Sequence, residues 1–354
     1  MDEESALAPK LAAPQHRPRP LPLFLDLLRS ETAADPARAK RALEGLRRYQ
    51  EWPRRPGPEP MPALFQEGGA ALRDYGGGSG PPVVFVPSLI NPPGVLDLSP
   101  DRSLLRWLAA QGHRVLLLDW GWPGEDRRAL SVTGHVERIL VPLAKRLGEP
   151  PILVGYCLGG TMALAAARPS GARAVAAIAA PWLFSGFSGE AQARLGSLWA
   201  AARPAAESLG VLPMEVLQSA FWSLDPARTV AKFEAFASAQ GEKADEFVRL
   251  EDWANDGPPL ALATARELFE DFFACDVPGS GAWKVEGDSV QPETLSFLNI
   301  VSTVDRIVPH ESAAPTGERL DLALGHVGMV VGSRAREALW EPLSRWLSSA
   351  AAKC

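Results

Sequence analysis

The chain has 354 residues, 46% of them hydrophobic and 22% charged, with a formal net charge of −6. This is the make-up of a globular protein with ample apolar material for a buried sheet, and the length suits one α/β core carrying an inserted excursion. The acidic balance offers no basic field to gather phosphate backbones, so nucleic acid is excluded as the expected partner.

The first residues, Met1-Asp2-Glu3-Glu4-Ser5, are acidic where a secretory signal carries positive charge. No apolar run approaches the roughly 18 residues of a membrane span, and a cytoplasmic setting is expected. Three widely spaced cysteines, Cys157, Cys275 and Cys354, make a poor disulfide framework and lack the paired spacing of a zinc site.

Residues 1 to 20, rich in Pro, Ala and charge, read as a loose arm. From Leu21 to Tyr49 the apolar positions Phe24, Leu27, Leu28, Ala39, Leu43 and Leu46 recur at helical spacing, broken near Pro36, and predict two amphipathic helices. Five prolines between residues 52 and 62 then form a stiff connector. The catalytic core is expected to begin after Tyr75-Gly76-Gly77-Gly78, so residues 1–75 form an N-terminal region of arm and helices.

Short apolar runs at 83–87, 115–119, 151–155 and 174–179 are each bounded by turn residues and interleaved with helical patterns, at about 102–111 and from Leu158 onward. This strand–helix–strand rhythm predicts a mostly parallel, doubly wound α/β sheet, with its first part over 76–182. From 183 to 290 the rhythm stops and the chain turns helical and aromatic, with Trp182 just before it and Trp199, Trp222, Phe233, Phe236, Trp253, Phe269, Phe272, Phe273 and Trp283 within it. That stretch reads as an inserted helical cap, although core packing of helices accounts for most of these rings taken singly. The second part of the core, 291–354, returns with strands at 296–301 and 320–324 and closes with an amphipathic helix over 334–349.

The strand at 151–154 runs into Gly155-Tyr156-Cys157-Leu158-Gly159-Gly160 and then into Thr161-Met162-Ala163-Leu164. A nucleophile set between glycines at a strand-to-helix turn forms an elbow, because side chains at the glycine positions would collide with strand and helix. Cys157 is therefore the candidate nucleophile of acyl transfer. The positive end of the helix faces its sulfur, and the Leu158 amide would point at a developing oxyanion. A second oxyanion donor is expected from the loop Ser88 to Ile90, with Leu89 the candidate.

Elbow folds of this type order their triad as nucleophile, acid, histidine along the chain. Two histidines follow Cys157, and His326, in Leu324-Gly325-His326-Val327-Gly328, lies just after the last predicted strand, whereas His310 follows the acid too closely to be oriented by it. The acid candidate is Asp305, in Val304-Asp305-Arg306-Ile307-Val308-Pro309, with Asp276 and Asp321 weaker. His326 would take the thiol proton and Asp305 would hold the ring in its working tautomer.

Beyond the elbow, which dienelactone hydrolases also carry in similar form, the chain resembles the polyhydroxyalkanoate synthases, in particular the short kind that works with a second subunit. The likeness rests on Pro87-Ser88-Leu89-Ile90-Asn91-Pro92-Pro93, on Leu96-Asp97-Leu98-Ser99-Pro100-Asp101-Arg102-Ser103-Leu104, and on Gly112-His113 and Leu118-Asp119-Trp120-Gly121. The elbow, Asp305 and Gly325-His326-Val327-Gly328 then follow in family order. The resemblance implies the α/β-hydrolase fold, with Cys157 holding the acyl group of a 3-hydroxyacyl-CoA, His326 activating the thiol and Asp305 assisting either His326 or the incoming hydroxyl. It further implies a polyester product, no cofactor or metal, a second synthase subunit or a homodimer as partner, and a location at cytoplasmic polyester granules. Asn91, Trp120 and Tyr156 are the candidate substrate-binding residues. A thioesterase or intracellular polyester depolymerase of the same architecture is the alternative.

Overall fold

The computed structural model describes residues 17–292 and 296–352. The first sixteen residues of the expected arm, and Cys354, lie outside the described residues.

Eight strands form the principal sheet, labelled here in chain order: β1 Ala63–Glu67, β2 Ala70–Asp74, β3 Pro82–Val86, β4 Arg114–Asp119, β5 Ile152–Tyr156, β6 Ala174–Ile178, β7 Phe297–Ser302 and β8 Glu318–Leu322. Their spatial order is β1-β2-β4-β3-β5-β6-β7-β8. The β1–β2 and β2–β4 pairs are antiparallel and every other pair is parallel. The mostly parallel, doubly wound sheet expected from the sequence is therefore present.

Strands β3, β5 and β6 are buried along their whole length, which is why they read as continuous apolar runs rather than alternating ones. The small-residue helix Leu158–Ser170 follows β5 and is buried at eleven of its positions. Its glycines and alanines allow that closeness: a Cβ on Gly160 would sit 2.4 Å from the Cβ of Ala180.

Two strands precede the point at which the sequence reading starts the sheet. Strand β1 is exposed or half-exposed throughout and β2 carries three buried residues, so the hairpin shows little of the strand-like apolar signal, although Gly68-Gly69 marks its turn.

The described residues divide into two compact units, one of residues 17–56 with 221–255 and the other of residues 57–220 with 256–292 and 296–352. In the first, the helices Leu21–Glu31 and Pro36–Glu51 pack with Pro226–Phe236 and Gly241–Ala254 around Phe24, Tyr49, Trp222, Phe233 and Phe236. Asp35 caps the second of these helices by accepting from the Arg38 amide at 2.9 Å, and Tyr49 donates to Asp252 at 2.7 Å. The second unit holds the sheet, the long helix Gly189–Leu209 and the closing helix Glu341–Ala352. Among the described residues no helix is long and apolar enough to cross a membrane.

Candidate active site

Strand β5 ends at Tyr156, and Cys157 follows with φ 57° and ψ −133° before the helix begins at Leu158. A non-glycine residue in this region costs of order 1–3 kcal/mol, so the surrounding packing must hold it there. Two glycines permit that packing. A Cβ on Gly155 would lie 2.2 Å from Gly160 Cα, and one on Gly159 would lie 2.1 Å from the Val86 carbonyl oxygen. The Cys157 amide donates to Ile178 O at 2.9 Å, and its carbonyl accepts from Gly160 at 2.8 Å, so the bend is tied to β6 and to its own helix.

His326 lies four residues past the end of β8 and is 9% exposed. Its Nδ1 is 2.5 Å from Asp305 Oδ2, and the Asp305 side chain is 0% exposed. The other carboxylate oxygen accepts from the amides of Ile307 at 2.7 Å and Val308 at 3.2 Å, which fixes the acid in the turn after β7. Ser302 steadies the histidine loop by donating to Leu324 O at 2.5 Å.

The ring of His326 also lies within interaction range of the Cys157 side chain. Burial alone would push the imidazole toward its neutral form. The charges of Asp305 and of the Cys157 sulfur, with the hydrogen bond to Asp305, overcome that and raise its pKa from 6.5 to about 10. Cys157, His326 and Asp305, far apart in sequence, are thus brought together. At neutral pH the arrangement favours the imidazolium form of His326.

The other sequence candidates lie elsewhere. His310 is half exposed beside Glu311, and Asp321 is half exposed and pairs with Arg319. Asp276, at φ 47°, accepts from the amides of Phe184 and Gly279 and braces its own loop. His113 contacts Ser344 at 2.8 Å.

Leu89 and Leu158 occupy the positions expected of oxyanion donors, one in the loop after β3 and one at the first helical position past Cys157. Among the described residues neither amide donates to a turn or loop carbonyl. Leu89, Asn91 and Trp120 line a cavity of about 110 Å³. Trp120 Nε1 donates to Pro87 O at 2.9 Å, so this ring holds the loop that carries Leu89. Among the described residues, Asn91 Oδ1 is buried without a hydrogen-bond partner. Tyr156 does not line this cavity. It is 4% exposed, stands against His326 with ring centroids 5.0 Å apart, and donates its hydroxyl to His326 O at 3.2 Å.

Two residues of the cavity wall carried no motif in the sequence. Arg127, 2% exposed, donates to the Trp120 and Gly121 carbonyls, and burial lowers its pKa. His135, also 2% exposed, packs edge-on to Trp120 at 5.7 Å, and burial pushes its pKa down to about 4, so it is neutral at physiological pH. Only the fold brings them beside the loop after β3.

A family model described as the alpha/beta hydrolase family matches residues 83–341. Among curated proteins the chain is 31% identical over 287 residues to the poly(3-hydroxyalkanoate) polymerase subunit PhaC of Haloferax mediterranei, covering 75% of this chain and 58% of that protein. It is 27% identical over 321 residues to the subunit of the same name from Allochromatium vinosum, covering 82% of this chain and 89% of that one. The chain thus spans under two thirds of the first relative and most of the second. Among solved structures, a monoacylglycerol lipase from Paleococcus ferrophilus superposes with a TM-score of 0.51 at 18% identity, covering 79% of this chain and 99% of the lipase, a likeness of fold alone.

Proposed function

We propose that this chain, which belongs to the α/β-hydrolase family and within it to the polyhydroxyalkanoate synthases, transfers (R)-3-hydroxyacyl groups from coenzyme A through a thioester on Cys157. The observation that carries this reading is the meeting of the Cys157 side chain with a His326 ring whose other nitrogen is held by a fully buried carboxylate.

In the first half-reaction the Cys157 thiolate attacks the acyl-CoA carbonyl. One carbon–sulfur bond forms, the carbon–sulfur bond to CoA breaks, and His326 gives the departing thiolate its proton. Because one thioester replaces another, the exchange is nearly isoenergetic, a reason for a thiol in place of a hydroxyl. The Leu158 and Leu89 amides are the proposed donors to the oxyanion.

In the second half-reaction neutral His326 takes the proton of an incoming 3-hydroxyl, whose oxygen attacks the Cys157 thioester. The ester bond forms and the sulfur leaves. Asp305 acts on His326 rather than on that hydroxyl, a role supported by the engagement of both its oxygens. Asn91 and Trp120 are proposed to bound the acyl chain from the cavity beside Leu89. The aromatic helices of 183–220 and 256–290, which belong to the same unit as the elbow, are proposed to keep water from the thioester.

The word subunit in the relatives' names supports a second chain as partner, with a homodimer the alternative. A water-soluble donor and an insoluble product support a reaction at a polyester surface, and the cytoplasm is its proposed setting. Incubation with 3-hydroxybutyryl-CoA tests the reading. CoA release with polyester formation, alone or with a synthase partner subunit added, supports it. Stoichiometric free 3-hydroxybutyrate without polymer overturns it in favour of a hydrolase.

A further inference from the structure

Tyr156 occupies the residue before the nucleophile, yet its side chain is directed to the histidine. It is 4% exposed, so it offers almost no surface to a ligand. Its hydroxyl donates to the backbone carbonyl of His326 at 3.2 Å, across 170 residues of sequence. Its ring lies 5.0 Å from the imidazole, centroid to centroid, at an interplanar angle of 31°.

These contacts act on different parts of His326. The hydroxyl bond ties the histidine backbone to the strand that carries Cys157, so β5 sets the positions of both reacting side chains. The ring face meets the imidazole, and an aromatic face within about 6 Å of a cation favours the charged form. Burial also raises the phenol pKa well above 10, with the nearby Cys157 and Asp305 charges adding to it, so the hydroxyl remains a donor throughout the working range.

We propose that Tyr156 is a positioning residue for His326: its hydroxyl fixes the histidine loop against β5, and its ring stabilises the imidazolium over the neutral imidazole. This rests on the assignment of Cys157 and His326 to acyl transfer. The titratable groups facing the imidazole are Asp305, from the turn after β7, Cys157, from the elbow, and Tyr156 itself. Among these, only Tyr156 acts without a charge.

The test is the rate of Cys157 acylation by 3-hydroxybutyryl-CoA as a function of pH, followed by intact mass in wild type, Tyr156→Phe and Tyr156→Leu, each checked by thermal melting. Tyr156→Phe keeps the ring and loses the donor. It is expected to acylate about tenfold more slowly, as for loss of one buried hydrogen bond, with substrate affinity and the alkaline limb of the profile unchanged. Tyr156→Leu is expected to bring the alkaline limb down by about 0.5 pH unit or more, which loss of packing alone would not do. If the Leu variant does not fold, pentafluorophenylalanine at 156 replaces it, since its reversed ring quadrupole predicts the same downward movement relative to Phe.

A Phe variant within twofold of wild type together with an unmoved alkaline limb in the second variant overturns the proposal while leaving acylation of Cys157 intact. Absence of any wild-type adduct instead removes the acyl-transfer reading, and this inference with it.

Discussion

Asp305 Oδ2 lies 2.5 Å from His326 Nδ1, and the carboxylate making this contact is wholly shut off from solvent. A buried carboxylate on Nδ1 fixes the tautomer that leaves Nε2 to exchange a proton with the thiol. Asp305→Asn keeps the shape and removes the charge. The expected loss is about 10²- to 10⁴-fold in kcat for CoA release, with the alkaline limb of the pH profile moving down as the imidazolium loses its nearest anion. Stopped-flow thiol detection across pH measures both, and a loss under fivefold would show that Asp305 does not orient the base.

The elbow sets a steric requirement that can be tested apart from chemistry. Gly159→Ala drives a Cβ to 2.1 Å from the Val86 carbonyl oxygen, a backbone atom that cannot move aside, whereas Gly325→Ala meets nothing within 4 Å. Urea titration should find the first variant destabilised by about 3 kcal/mol or more, or unfolded, and the second within about 1 kcal/mol of wild type. Equal midpoints for the two would contradict the packing described for the turn.

The His326 pKa, raised from 6.5 to about 10, links this site to stability. A group whose folded pKa lies above its unfolded value contributes stability fully at pH below about 6.5, and that contribution is lost as pH climbs through about 10. The melting temperature of wild type should exceed that of His326→Gln near pH 6, and the difference should shrink as pH rises from about 7 to 10.5. Parallel melting curves over that interval would mean that the imidazolium gains nothing from its two neighbours.

Cys157→Ser keeps a nucleophile but exchanges an oxygen ester for the thioester, and the hydroxyl resists deprotonation far more than a thiol. Acyl transfer from CoA is expected to fall by about 10³-fold or more. A Ser variant within tenfold of wild type would remove the argument that the thiol suits a thioester donor.

How much of this was readable in the sequence depends on how local each signal is. The elbow was fully legible because six consecutive residues carry its steric logic, from Gly155 to Gly160. His326 and Asp305 were found by chain order and by their places after strands, which a doubly wound sheet gathers at one edge. The edge hairpin β1–β2 was missed because its outer strand is exposed along its length and so lacks the apolar run that announced the inner strands. Arg127 and His135 belong to no motif, and their burial beside the loop after β3 depends on three separate segments folding together. The contact of Tyr156 with His326 is likewise a product of topology: the sequence offered Tyr156 as a substrate-binding candidate, and nothing in it signalled a bond to a residue 170 positions away.

Whether Cys157 carries the acyl group is read by intact-mass and peptide mass spectrometry of the protein after brief exposure to 3-hydroxybutyryl-CoA. A 3-hydroxybutyryl adduct, or a ladder of its oligomers, is expected on the peptide containing Cys157 and absent from Cys157→Ala. CoA release in which the adduct lies on another residue, or persists in the Ala variant, would contradict that role of Cys157.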